Sequence, residues 1–378
     1  MTESQRQRVF TWLDRCQDFS WSLPSDFLSR KHFIRVVLNL DWTSTPGYPY
    51  NKYYNDNRAF FGVKNGLPSW ERMNYVWNLV CHHINERVSD PIYVFVKQEP
   101  HLEKKRGRVR LISSVSVVDQ IIDHMLFDAF NEKIIEQSKF GSVKVGWTPY
   151  LGGWKTVPLK GISIDKSAWD WTMQPWLFSA ILDFKRSRCV TETHRDLWLE
   201  LASWRYRCLF FEARFYLPNG LVIEQTEPGV MKSGSVVTIV DNSLAQLILH
   251  YRVYDELGWE PGREEYIWVC GDDTRQSKPP DVGAYLDRLS QFCKVKEFTE
   301  RCEFVGCRFY RGGRIEPLYK GKHAYNLLYA DPAIEQNLAF SYALLYGRSR
   351  EFPYMRKILS VFGQPMSTEQ VHSLWDDE

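Results

Sequence analysis

Five apolar or aromatic residues in a row, Tyr266-Ile267-Trp268-Val269-Cys270, run directly into Gly271-Asp272-Asp273. Such a run reads as a buried strand, and Gly-Asp as a tight turn. Two adjacent carboxylates are then presented at a hairpin tip, where their mutual repulsion is costly without a cation. Paired aspartates around a divalent ion are the chemistry of phosphoryl transfer. Taken alone, the tripeptide is equally compatible with a solvated turn, so its meaning depends on the rest of the chain.

Upstream, Ile162 and Ile164 alternate with Ser163 and deliver Asp165 to the end of an expected strand. Asp165 and Asp272 on neighbouring strand ends suit two Mg²⁺ (or Mn²⁺) ions about 3.5–4 Å apart, the oxygen-rich geometry of polymerases and nucleases. Asp170, in Trp169-Asp170-Trp171, is free to accept a hydrogen bond from a ribose hydroxyl. Between these acids lies Glu227-Pro228-Gly229-Val230-Met231-Lys232-Ser233-Gly234-Ser235, read as a loop before a helix over 236–251. Thr238 and Asn242 share one face of that helix. Ser233 and Gly234 stand before it, where N–H groups and hydroxyls approach a nucleic-acid backbone; the plain alternative is an N-cap serine and a packed helix. Residues 97–110 carry six Lys or Arg against Glu99 and Glu103, although the whole chain is only +2. Charge runs are usually solvated faces. Here alternation puts Arg108 and Arg110 on one side of a strand, where guanidinium forks grip a triphosphate.

In order, these blocks resemble the motifs of viral RNA-dependent RNA polymerases. Thr43-Ser44-Thr45-Pro46-Gly47-Tyr48-Pro49-Tyr50 looks like the fingers motif at the template entry, and residues 97–112 like the basic NTP-entry motif. Asp165-x4-Asp170, Ser233-Gly234-x3-Thr238-x3-Asn242 and Gly271-Asp272-Asp273 are similar to the three palm motifs, and residues 303–309 to the primer grip. Phe95-Val96-Lys97-Gln98-Glu99-Pro100-His101 and Trp169-Asp170-Trp171 are most similar to the sobemovirus and luteovirus-like branch. The likeness covers residues 40–325 and leaves both ends of the chain unmatched.

The resemblance implies an α+β right-hand polymerase with fingers, a palm built on an antiparallel sheet and a small thumb. It divides the chain into 1–160 (N-terminal part and fingers, NTP-entry strand 94–112), 161–190 (palm), 191–232 (fingers insertion and hairpin), 233–310 (palm) and 311–378 (thumb). Asp165 and Asp272 would hold both metals, with Asp273 an outer or partial ligand. Asp170 and Asn242 would read the ribose 2′-hydroxyl, Thr238 would support Asp170, and Ser233 would belong to a loop that moves with translocation. Arg110, Lys97 and Arg108 would hold the triphosphate. Lys294 and Lys296 are both candidates for the acid that protonates pyrophosphate, with Lys296 preferred. Ser44, Gly47, Tyr48, Gly234 and Arg308 would contact RNA. Template and product RNA, NTPs, a protein primer and other viral replication proteins are the implied partners, in the host-cell cytoplasm within membrane-associated complexes.

Composition bounds the alternatives. A near-neutral balance excludes a general basic coat, so positive charge must be local to a channel. Of the fifteen Trp, Trp169 and Trp171 are candidates for base stacking and the rest are expected in the core. The eight cysteines form no Cys-x-x-Cys pair; Cys302 with Cys307, or Cys81 with His82 and His83, is a remote zinc possibility beside ordinary buried thiols. No signal peptide or membrane-length apolar run is visible, so a reduced cytosolic setting is expected. Helices are expected near 3–17, 69–88, 117–136, 176–185, 191–204, 282–293 and 332–346. An Asn219-Gly220 hairpin of type I′ joins strands over 207–217 and 221–225, and 304–310 forms a strand. A reverse transcriptase would exclude ribonucleotides with a bulky residue at position 170. A two-metal nuclease would not need the basic strand or the Ser-Gly loop. A non-catalytic scaffold would have lost one of the three acids.

Overall fold

In the computed structural model, residues 1–97, 109–363 and 366–376 are described. Helices α1 (Glu3–Leu13), α2 (Arg30–Leu38), α3 (Asn57–Phe61) and α4 (Trp70–Glu86) precede strands β1 (Ile92–Lys97) and β2 (Arg110–Ser114). Then come α5 (Val117–Glu136), β3 (Ile162–Lys166), α6 (Trp169–Thr172), α7 (Pro175–Arg188), α8 (Arg195–Tyr206), β4 (Arg214–Tyr216) and β5 (Val222–Glu224). The central stretch holds α9 (Thr238–Glu256), β6 (Ile267–Cys270), β7 (Asp273–Gln276), α10 (Val282–Leu289) and β8 (Val295–Thr299). It is followed by β9 (Glu303–Phe304), β10 (Cys307–Phe309), β11 (Ile315–Pro317), α11 (Lys320–Leu328), α12 (Glu335–Tyr346), α13 (Phe352–Leu359) and α14 (Thr368–Asp376). Ser29, Ser69, Ser116 and Asp281 each accept a backbone N–H and start α2, α4, α5 and α10.

Three sheets organise these elements. The central one, in the order β6-β7-β3-β8, is antiparallel throughout. A second, β2-β1-β4-β5, pairs β1 with β2 antiparallel and with β4 parallel. The third is the small meander β11-β10-β9. Helix α9 is buried on nearly every face from Val240 to Leu249, as a helix must be when it crosses the middle of a core. A second apolar cluster joins Phe304, Phe309, Tyr346 and Trp375 to Val157, with Trp147 packed against it. The 147–157 stretch therefore packs with the C-terminal helices, and Leu151 and Gly152 donate to the carbonyls of Leu374 and Trp375. Among the described residues no helix is long and apolar enough to cross a membrane.

Several local expectations need correction. Arg207–Phe211 is a π-helical turn continuing α8, so the strand shrinks to Arg214–Tyr216. The β4–β5 connection is a three-residue loop, Pro218-Asn219-Gly220, closed by the Leu217 N–H on the Leu221 carbonyl (2.9 Å). Only Gly220 in it has positive φ, so it is not the type I′ turn, which needs two. The strand expected over 304–310 is split at Val305 and Gly306, both at positive φ, into the hairpin β9–β10. Trp169 is core, whereas Trp171 is exposed.

A buried ionic tie joins three helices. Lys185 of α7 donates to Asp241 of α9 (2.6 Å), and the Tyr206 hydroxyl of α8 donates to the other oxygen (2.5 Å), all fully enclosed. Removing one partner strands a buried charge. Asp241→Ala is expected to lower the unfolding free energy by about 3–5 kcal/mol, measured by urea titration. A loss within about 0.5 kcal/mol, the range of surface changes, would show that the tie is not closed in solution.

Candidate active site

Strand β3 lies between β7 and β8, with Ile162, Ser163 and Ile164 buried. Its pairing with β8 shifts register between Asp165 and Lys166. A bulge of this kind re-aims side chains, and here Asp165 emerges exposed while Lys166 turns inward. Lys166 donates to the Thr274 hydroxyl (3.1 Å), and burial pushes its amine down to about 8. On the neighbouring hairpin Cys270 pairs with Asp273, leaving Gly271 and Asp272 as a two-residue turn. Gly271 supplies the positive φ such a turn needs at its first position. Asp272 is exposed at the tip, and Asp273 is half-buried. Burial, reinforced by the charges of Asp272 and Asp165, pushes the Asp273 carboxyl up to about 6.

Helix α9 holds this turn from beneath. The Ser243 hydroxyl accepts the Gly271 N–H (2.8 Å), and the Gln246 amide donates to the carbonyls of Gly271 (3.4 Å) and Asp272 (3.2 Å). Sequence reading missed Lys166, Ser243 and Gln246. The available signal for Gln246 was a polar residue set among the buried apolar positions Leu244 to Leu249 of α9.

Lys296 of β8, not Lys294, directs its ammonium onto Asp165. That hydrogen bond raises the lysine above its ordinary value. Among the described residues the one group of three ligand side chains within 4.8 Å of one another is His83, Asp90 and Asp119, outside the central sheet. Asp119 there is already served by His83 (3.0 Å), the Ser89 hydroxyl (2.7 Å), the Asp90 N–H (2.9 Å) and Arg205 (3.4 Å). These bonds tie the helices together, and among the described residues neither Cys302 with Cys307 nor Cys81 with His82 and His83 comes together in a group of three such ligands. Asp165, Asp272 and Asp273 do not form such a group of three. Their chemistry nonetheless fits a hard divalent cation, with all-oxygen donors, two of them exposed, crowded enough to raise Asp273.

Beside the acids, Asn242 donates to Asp170 (2.8 Å). Burial raises the Asp170 carboxyl, against the Asn242 bond; the Asp272 charge adds to the rise and Arg110 opposes it. The Asn242 amide oxygen is buried and has no protein partner. Thr238 does not reach Asp170; its hydroxyl sits on the carbonyls of Lys232 (2.8 Å) and Ser235 (2.9 Å). Ser233 accepts the Ser113 N–H (3.3 Å), so it is no N-cap; Val237 holds that position. A Cβ on Gly234 would stand 2.2 Å from the Ser113 carbonyl, which is why only glycine lets the loop meet β2 there.

The remaining candidates are more scattered. Arg110 is exposed at the start of β2, directly opposite Lys97 at the end of β1. Arg108 lies outside the described residues. Ser44 bonds Asp41 (2.6 Å), Gly47 is buried against Val115 and Ser116, and Tyr48 stacks on Tyr216 (4.0 Å) under Lys52. Arg308 is paired with Glu303 across the β9–β10 hairpin (2.6 Å). A cavity of about 370 Å³ opens beside Asp170, between Trp171, Leu111, Phe215, Met231 and Ser233.

A solved structure, "Sicinivirus 3Dpol RNA dependent RNA polymerase", superposes on 99% of this chain and 85% of its own with a TM-score of 0.75 at 16% identity, so the fold is the right-hand polymerase fold. The replicase polyprotein P2AB of Cocksfoot mottle virus is 30% identical over 309 residues, 72% of this chain and 30% of that polyprotein. Protein P1-P2 of Pea enation mosaic virus-1 is 31% identical over 259 residues, 59% of this chain and 20% of its own. The chain thus spans about a third or less of the length of these relatives, which match the sobemovirus and luteovirus-like branch. The family model described as "Viral RNA-dependent RNA polymerase" matches residues 30–298, so the chain belongs to the viral RNA-dependent RNA polymerase family.

Proposed function

We propose that this chain replicates a viral RNA genome by adding ribonucleotides to a growing 3′ end on an RNA template. The observation that carries the reading is the meeting of Asp165 and Asp273 on adjacent strands, with Asp272 between them and solvent, beside the Asp170–Asn242 pair. Asp165 and Asp272 hold the metals in this reading, with Asp273 an outer ligand. Two Mg²⁺ (or Mn²⁺) ions bound there supply the Lewis acidity that activates a 3′-hydroxyl and steadies the leaving pyrophosphate. Lys296 must leave Asp165 to make way, and its ammonium is then at hand to protonate pyrophosphate. Arg110, with Lys97 and Arg108, neutralises the triphosphate.

Asp170 accepts the ribose 2′-hydroxyl proton, and the Asn242 amide N–H, which lies against Asp170, donates to the hydroxyl oxygen. An open carboxylate at this position favours RNA over DNA synthesis and argues against a reverse transcriptase. The intact acids argue against a scaffold. Residues 1–160 and 191–232 would supply fingers, 161–190 and 233–310 the palm, and 311–378 the thumb, with Ser44, Gly47, Tyr48, Gly234 and Arg308 along the RNA path. We extend the proposal to a protein primer and to viral replication proteins on host-cell cytoplasmic membranes. NTP-only initiation at a rate unaffected by any added primer would overturn the primer.

Primer extension on an RNA template with rNTPs tests the central claim. Activity is expected only with Mg²⁺ or Mn²⁺, and Asp272→Ala should lower kcat by at least about 100-fold while RNA binding holds. Extension by that variant near the wild-type rate would overturn the metal assignment. Asn242→Ala should reduce the rNTP-over-dNTP preference by about tenfold, the worth of one hydrogen bond; an unchanged preference would remove its ribose role. Arg110→Ala should raise KM for all four NTPs alike, and a base-dependent change would point to a template contact instead.

A further inference from the structure

The loop before α9 contains a side chain that the proposed chemistry does not use. Lys232 is 2% exposed, and its ammonium donates to the Gln225 amide oxygen (2.9 Å) and to the carbonyls of Gly229 (3.1 Å) and Val230 (2.9 Å). All three donors are used, and every acceptor is neutral. Among the described residues no carboxylate lies within ion-pair distance of it. A buried charge so placed is expensive, and burial pushes this amine down to about 7.

What the ammonium grips is equally unusual. Val230 is at φ +63°, a left-handed conformation that a β-branched residue adopts only under constraint. Gly229 is at φ +114°, and a Cβ there would stand 2.6 Å from the Met173 carbonyl. The same segment runs along the ribose side of the site. The Val230 N–H donates to Met173 (2.9 Å), and the Met231 N–H donates to the carbonyl of Asp170 itself (2.8 Å). On the other side, the Lys232 carbonyl accepts the Thr238 hydroxyl at the start of α9, one turn before Asn242. Lys232 thereby joins the strained turn, the end of the β4–β5 hairpin through Gln225 and the start of α9, which carries Asn242, while its neighbour Met231 bonds the carbonyl of Asp170.

We propose that Lys232 is a positioning residue: a latch that holds residues 229–231 in their strained form and so sets the backbone of Asp170 against Asn242. Without the latch the segment relaxes toward ordinary backbone angles, the Met231 bond to Asp170 lengthens, and the pocket loses its grip on the ribose. Nucleotide geometry suffers, while the acids, on β3 and on the turn held by Ser243 and Gln246, do not. This rests on Asp170 and Asn242 being the ribose sensor.

The test uses the full chain in primer extension, scoring rNTP and dNTP separately. Lys232→Met keeps the length of the side chain and removes its donors. It is expected to raise KM for rNTPs several-fold and to narrow the rNTP-over-dNTP preference. In Lys232→Met/Val230→Gly, where the turn is no longer strained, that preference should return toward wild type. Asn242→Ala run alongside separates the two claims. If it leaves the preference unchanged, the ribose sensor itself is wrong. If it narrows the preference and Lys232→Met lowers rNTP and dNTP use equally, the latch is overturned and Lys232 merely supports folding. Failure of Val230→Gly to restore the preference would equally overturn the latch.

Discussion

Three carboxylates at the open end of one sheet repel one another, and the structure is built around tolerating that repulsion. The register shift between Asp165 and Lys166 turns the acid outward and the amine inward at adjacent positions. Gly271 lets the second strand pair reverse in two residues, so Asp272 reaches solvent while Asp273 remains partly enclosed. Burial raises the Asp273 carboxyl most, and the charges of Asp272 and Asp165 add to that rise.

The support beneath is polar but uncharged. Ser243 and Gln246 reach the turn through its backbone, leaving the carboxylates free. Lys144, Lys166 and Lys232 follow the same logic, each buried and each hydrogen-bonded to carbonyls, an amide or a hydroxyl. Of the three, Lys166 also lies close enough to the acids for its charge to oppose the rise of Asp273. Where full ion pairs are buried, as at Lys185 with Asp241 and Arg205 with Asp123, they lie between helices and join the scaffold.

Legibility from sequence was uneven for physical reasons. Helix α5 was readable end to end because Ser116 caps it and its apolar positions recur at helical spacing. The Gly271 hairpin was readable because a long apolar run ending in Gly-Asp has few other uses. The 207–217 strand was misread because an apolar stretch looks the same in a π-helical turn and in a strand. Splitting of the 303–309 strand depended on Val305 taking a left-handed conformation that no residue-type preference foretells. The family resemblance assigned Thr238 to the support of Asp170, but the loop carbonyls before α9 claim its hydroxyl.

By itself the sequence determined the chemistry: which carboxylates, amide and guanidinium are present, and in what order. Those are properties of side chains, and their spacing survives any detail of packing. The tertiary structure alone decided which lysine reaches Asp165, why Gly234 must be glycine, and that Lys232 grips the strained turn next to the Met231 N–H that bonds Asp170. Each of these depends on segments distant along the chain arriving within a few ångströms. Close packing, not local propensity, sets that distance.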